Sequence, residues 1–146
     1  MSRGTRSWVW TGILVVLAAL SGLPAQAQQV LWVDDGNCPG PGNGSVGNPY
    51  CKIQDALCFL KDNGGGTVNV LPGTYPESLR IFGNTRVVST DGPLVTILNA
   101  AGKPCINADC TVSTTTPCSA VYFPSAAGTN SSIEGFRITG GGGRPN

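Results

Sequence analysis

Between Ile53 and Lys61 the apolar residues Ile53, Ala56, Leu57 and Leu60 fall at i, i+3, i+4 and i+7, one face of a helix, and Phe59 widens the stripe. Gln54, Asp55, Lys61 and Asp62 form the polar side, and Asn63-Gly64-Gly65-Gly66 ends the run. The spacing predicts a helix over 53–63. Two to three turns do not hold themselves in water, so this helix needs a surface to pack on. From Thr67 onward the apolar period drops to two. Val68/Val70, Leu79/Ile81, Val87-Val88, Val95/Ile97, Val121/Phe123 and Phe136/Ile138 are six short β-like pairs, most of them separated by turn residues such as Pro72-Gly73, Gly83-Asn84 and Asp91-Gly92-Pro93. Val30-Leu31-Trp32-Val33 is a further β-like run ahead of the helix.

Strands this short, without tight Asn-Gly hairpins between them, fit an all-β solenoid better than an up-and-down sheet. Val68/Val70, Leu79/Ile81, Val95/Ile97 and Phe136/Ile138 are then expected to point inward, with Asn69, Arg80, Thr96 and Arg137 outward. The long gap between Val95 and Val121 reads as an inserted loop. An antiparallel sandwich is the competing architecture, and it requires regular strand spacing and hairpin turns.

Composition narrows the function classes. With 40% hydrophobic and 12% charged residues, the chain is too apolar for a disordered segment, and its 21 glycines lack the collagen period. A formal charge of +1 without a basic stripe argues against nucleic acid as a partner. There is no His, which removes the usual general base, the Ser-His-Asp and Cys-His arrangements and the commonest metal ligand.

Arg3 and Arg6 precede an apolar stretch from Trp8 to Leu23, followed by Pro24-Ala25-Gln26-Ala27. This reads as a signal peptide over 1–27, cleaved after Ala27; the run is too short for a stable membrane span. A secreted, cell-surface or periplasmic location follows. Cys38, Cys51, Cys58, Cys105, Cys110 and Cys118 all lie beyond that cleavage point, and an even count in an exported chain points to disulfides. Zinc is the weaker reading, because no CxxC pair and no His is present. Cys38 with Cys51 would close the Gly/Pro-rich loop. Two of Cys105, Cys110 and Cys118 would close a second loop, and Cys58 and the remaining one pair or stay free.

Val33-Asp34-Asp35, Asn37-Cys38-Pro39-Gly40, Asn48-Pro49-Tyr50-Cys51, Ile53-Gln54-Asp55-Ala56-Leu57, Gly66-Thr67-Val68-Asn69-Val70 and Pro72-Gly73-Thr74-Tyr75 follow one another in this order. The series resembles the start of exported bacterial right-handed parallel β-helix proteins of the pectin-lyase-like class. Ser132 to Gly141 is similar to one of their later coils. The resemblance implies a strand and disulfide loop over 28–52, a capping helix over 53–63 and first coils over 64–146. Few coils and a Gly-rich close lead to the expectation of an N-terminal portion of a longer protein; a complete small domain stapled by disulfides is the alternative.

The chemistry is less specific. Asp34-Asp35-Gly36-Asn37 offers oxygens for calcium, but neighbouring carboxylates on a strand point to opposite faces, so a turn bonded to local amides is the simpler reading. Asp55, Asp62, Glu77, Asp91, Asp109 and Glu134 are scattered singly, without the spacing of paired glycosidase acids. Lys52, Lys61 and Lys103 read as solvated, and Asn43-Gly44-Ser45 and Asn130-Ser131-Ser132 as incidental glycosylation triplets. Trp32, Tyr50, Tyr75 and Tyr122 are candidates for stacking on sugar rings, against a packing role. No catalytic residue, metal ligand or cofactor site is assigned. The expected function is an exported scaffold or surface module touching extracellular polysaccharide or cell-surface material. The alternatives are the N-terminal piece of a polysaccharide lyase or glycoside hydrolase, and a disulfide-rich binding domain.

Overall fold

The computed structural model describes residues 28–114, 118–125 and 130–142. The signal-peptide segment 1–27 lies outside them. Among the described residues nine strands, β1 (Gln29–Val33), β2 (Gly66–Val70), β3 (Gly73–Tyr75), β4 (Leu79–Arg80), β5 (Thr85–Ser89), β6 (Thr96–Asn99), β7 (Val121–Tyr122), β8 (Ser132–Glu134) and β9 (Arg137–Thr139), accompany one α-helix, α1 (Ile53–Asp62), and a single 3-10 turn at Asp35–Asn37. All strand pairs are parallel. The strand orders are β1-β2-β5-β8, β3-β6-β9 and β4-β7, so from β2 onward the chain visits the three sheets in the same cyclic order. The antiparallel alternative is therefore excluded for these strands.

Parallel pairing in register stacks like on like. Leu31, Val68, Val87 and Ile133 form one column across the first sheet, and Tyr75, Leu98 and Ile138 another across the second. The helix buries the predicted stripe of Ile53, Ala56, Leu57 and Leu60 against β1, β2 and β4. Phe59, expected to widen that stripe, is 40% exposed and meets Tyr50 with ring centroids 6.5 Å apart.

One register differs from expectation. Thr96 and Leu98 face the core and are fully buried, whereas Val95 is 47% exposed and Ile97 is only half-buried. The cause is a polar pair inside the core. The Ser89 and Thr96 hydroxyls lie 2.7 Å apart, and Ser89 Oγ also accepts the Gly92 amide at 2.9 Å. A satisfied hydroxyl removes most of the penalty that would keep threonine out, and turning β6 the other way would take Leu98 from the core. Ile138 points inward by register with Leu98, yet it is 46% exposed, because β9 has a sheet neighbour on one side only among the described residues.

Gly65 follows the helix at φ +89°, and a Cβ there would collide with the Asn84 carbonyl oxygen. Gly102 has φ +65° with nothing near its missing Cβ. Gly102→Ala should cost about 1 kcal/mol for the backbone conformation alone. Gly65→Ala adds the collision and should cost clearly more. Urea midpoints of the two variants measure the difference, and equal losses would refute the close-approach argument.

Candidate functional site

Six cysteines form three disulfides, Cys38–Cys51, Cys58–Cys110 and Cys105–Cys118. The first holds the Gly/Pro-rich loop, as its spacing suggested. The third closes the inserted loop between β6 and β7. The second ties that loop to α1. Three disulfides fit an oxidising, extracellular setting. No helix among the described residues is long and apolar enough to cross a membrane.

The larger hollow, about 620 Å³, lies between β4, β7 and the inserted loop, with Ser78, Arg80, Cys105, Ile106, Asn107 and Tyr122 on its wall. Alternation sets this up. Leu79 turns into the core, so Arg80 turns away from it, as the sequence predicts, and register places Arg80 beside Tyr122 on β7. The guanidinium carbon sits 4.9 Å from the centre of the Tyr122 ring and 5.8 Å from that of Phe82, within cation–π range of both. Arg80 Nη1 donates to the Ile106 carbonyl at 3.3 Å. Two polar atoms in this wall, Arg80 Nε and Ser78 Oγ, are buried without a hydrogen-bond partner. Native interiors seldom leave such groups unpaired.

The smaller hollow, about 310 Å³, is lined by the Cys58–Cys110 bridge together with Asp35, Asp55, Tyr75, Glu77, Lys52 and Lys103. Its acids serve the backbone. Glu77 Oε1 and Oε2 accept the amides of Ile53 and Gln54, each at 2.9 Å, and so cap α1 from 24 and 23 residues away. Lys52, at the cap position, supplies no side-chain bond. Burial pushes the Glu77 carboxyl up to about 7, against the pull of the two amides. Asp35 Oδ2 accepts the Thr74 amide and Asp34 Oδ1 the Gly36 amide, both at 2.9 Å. The Asp34–Asn37 segment is thus the amide-bonded turn, with its carboxylates spent on backbone groups. Tyr75 is buried, with its hydroxyl donating to the Leu71 carbonyl at 2.9 Å; burial raises its pKa.

Neither a family model, nor a curated protein, nor a solved structure matches this chain.

Of the four aromatic candidates, the structure separates Tyr122 from the rest. Tyr75 packs in the core, Tyr50 and Trp32 are half-buried, and Tyr122 is 46% exposed on the cavity wall. The scattered acids do not converge on it. Glu134 pairs with exposed Arg86 at 2.7 Å, and that bond, with one from Ser132, holds its carboxyl down at about 2. Lys61 pairs with Asp62 at 2.8 Å, while Lys52 is exposed and Lys103 half-buried. Among the described residues no cluster of His, Cys, Asp and Glu is arranged to hold a metal ion. Sequence reading missed Ser78 and the covering of Arg80, because both depend on a loop folded over β4 from far along the chain. An arginine in a two-residue strand beside an aromatic strand was the signal available.

Proposed function

We propose that this chain is an exported, non-catalytic surface module, built as the beginning of a right-handed parallel β-helix with α1 as its cap, and that it contacts extracellular polysaccharide. The repeated cyclic visit to three parallel sheets supports the solenoid, and a helix with one apolar face over β1 and β2 suits a terminal cap. Removal of residues 1–27 as a signal peptide would deliver it to the compartment that its disulfides suit.

The observation that carries glycan contact is Tyr122. Its half-exposed ring borders a cavity of about 620 Å³ edged with hydroxyl, amide and guanidinium groups. A flat aromatic face beside directional donors matches a sugar ring, which has apolar C–H faces and polar edges. Electrophoresis of the secreted protein through gels containing alginate, xylan or dextran provides the test. Retardation by at least one polysaccharide is expected, and Tyr122→Ala should weaken it about tenfold, the loss of one stacked ring. Unretarded migration in all three, or retardation indifferent to Tyr122→Ala, would refute glycan contact at this site.

A further inference from the structure

We propose that two copies of this chain join end to end, the β8–β9 edge of one lying antiparallel on the same edge of the other about a two-fold axis. The inference is independent of glycan contact and uses a different face.

The two ends of the ladder differ. At the β1 end the outer backbone groups are taken. Trp32 donates its amide to the Gly44 carbonyl and accepts the Tyr50 amide, and Asp34 donates to the Tyr50 carbonyl, each at 2.9 Å. Asp35 covers the outer amide of Thr74 on β3, and α1 packs over β1 and β2. At the other end β8 and β9 have sheet neighbours, β5 and β6, on one side only among the described residues. Ile133 and Phe136 pack on the core yet are only half-buried, and Ile138, inward by register, is 46% exposed. An apolar strand edge of this kind is a template for another strand.

The sequence of that edge says which strand. Ser132-Ile133-Glu134-Gly135-Phe136-Arg137-Ile138-Thr139 runs hydroxyl, isoleucine, acid, corner, base, isoleucine, hydroxyl, the same pattern from either end with the charge inverted. A two-fold axis through the Gly135–Phe136 corner, perpendicular to the direction of strand stacking, exchanges the two arms and reverses them. β8 then lies antiparallel on the partner's β9. Ile133 faces the partner's Ile138, Ser132 the partner's Thr139 and Glu134 the partner's Arg137, and the axis repeats each pair. Inward residues meet inward ones, because Ile133 and Ile138 alternate with their charged neighbours. Arg137 is exposed and has no ion pair in its own chain among the described residues, whereas Glu134 is held by Arg86. The partner's Arg137 extends that pair into a row of alternating sign. Growth stops at two, since the β1 edge is filled.

Sedimentation velocity and native mass spectrometry of the secreted protein over a concentration series provide the test. A dimer with a micromolar dissociation constant is expected, as suits two short strands per copy. Arg137→Glu places acid on acid twice and should weaken it at least about tenfold, with an unchanged far-ultraviolet dichroism spectrum. Glu134→Lys should do the same. An equimolar mixture of the two variants restores opposite charges at both positions and should recover a dimer of mixed mass. A wild-type monomer at every concentration would overturn the proposal and leave the edge to a following coil or to residues 143–146. A dimer indifferent to both variants would overturn the choice of face. A mixture that stays monomeric would overturn the antiparallel register, and species larger than two would overturn the two-fold closure.

Discussion

Replacing Cys58 and Cys110 together by serine is expected to lower the unfolding free energy by about 4 kcal/mol, from the chain entropy of a loop this long. The bond spans 52 residues, whereas Cys38–Cys51 and Cys105–Cys118 each span 13, a length worth about 3 kcal/mol in the same treatment. Geometry adds to the difference. Cys58 is on α1 and Cys110 in the inserted loop, and both pack against the core as half-buried residues. Cutting this bridge frees the loop from the helix and removes one wall of the smaller hollow. The Cys105–Cys118 pair would still close the loop on itself, so the strands should survive at low temperature. Urea unfolding of Cys58→Ser/Cys110→Ser beside Cys105→Ser/Cys118→Ser decides it. A smaller loss in the first variant would mean that the loop is held mainly by its non-covalent contacts.

The second large effect is on pH. Stability is expected to fall as pH rises from 5 to 8, on the order of 2 kcal/mol. Glu77 has a folded-state pKa near 7 against 4.5 for an ordinary glutamate, with burial as the main cause. The folded chain therefore keeps a proton that the unfolded chain has released between those values. The stabilisation is fully present below about 4.5 and is lost as pH rises through about 7. The window is quiet otherwise, because the chain has no histidine. Glu134, held at about 2 by Arg86, stabilises above its ordinary range and loses that effect only as pH falls toward 2. Glu77→Gln keeps one oxygen to accept an amide of α1 and cannot ionise, so its stability should be nearly flat from pH 5 to 8. A wild-type profile that rises with pH, or a variant with the same slope as the wild type, would remove Glu77 from this role.

Local patterns were legible in the sequence. The stripe Ile53, Ala56, Leu57, Leu60 reports a helix because four like residues leave a single way to hide. Val68/Val70 and Leu79/Ile81 read correctly for the same reason, and so did the Cys38–Cys51 bridge across the Gly/Pro loop. The register of β6 was not legible. Hydrophobicity put Val95 and Ile97 inside, but the choice depended on whether Thr96 would find Ser89, seven residues away, across a corner of the chain. Glu77 as the cap of α1 was hidden likewise, since capping rules look within a few residues and this acid comes from the strand region. Gln54 sits on the polar side by sequence, yet it is buried, because its side-chain amide bonds both backbone groups of Arg80. The cavity required all of these distant contacts at once, and so no short window of sequence carries it.

The corner between β6 and β7 also bears on how such a molecule can change. Asn99 and Val121 are 22 positions apart, yet β6 stays aligned with β3, and β7 with β4. Length added at that bend leaves the pairing of the ladder undisturbed. The bend is therefore a natural graft point: a lineage, or an engineer, could exchange its contents to recognise a new target while the frame beneath kept its folding instructions.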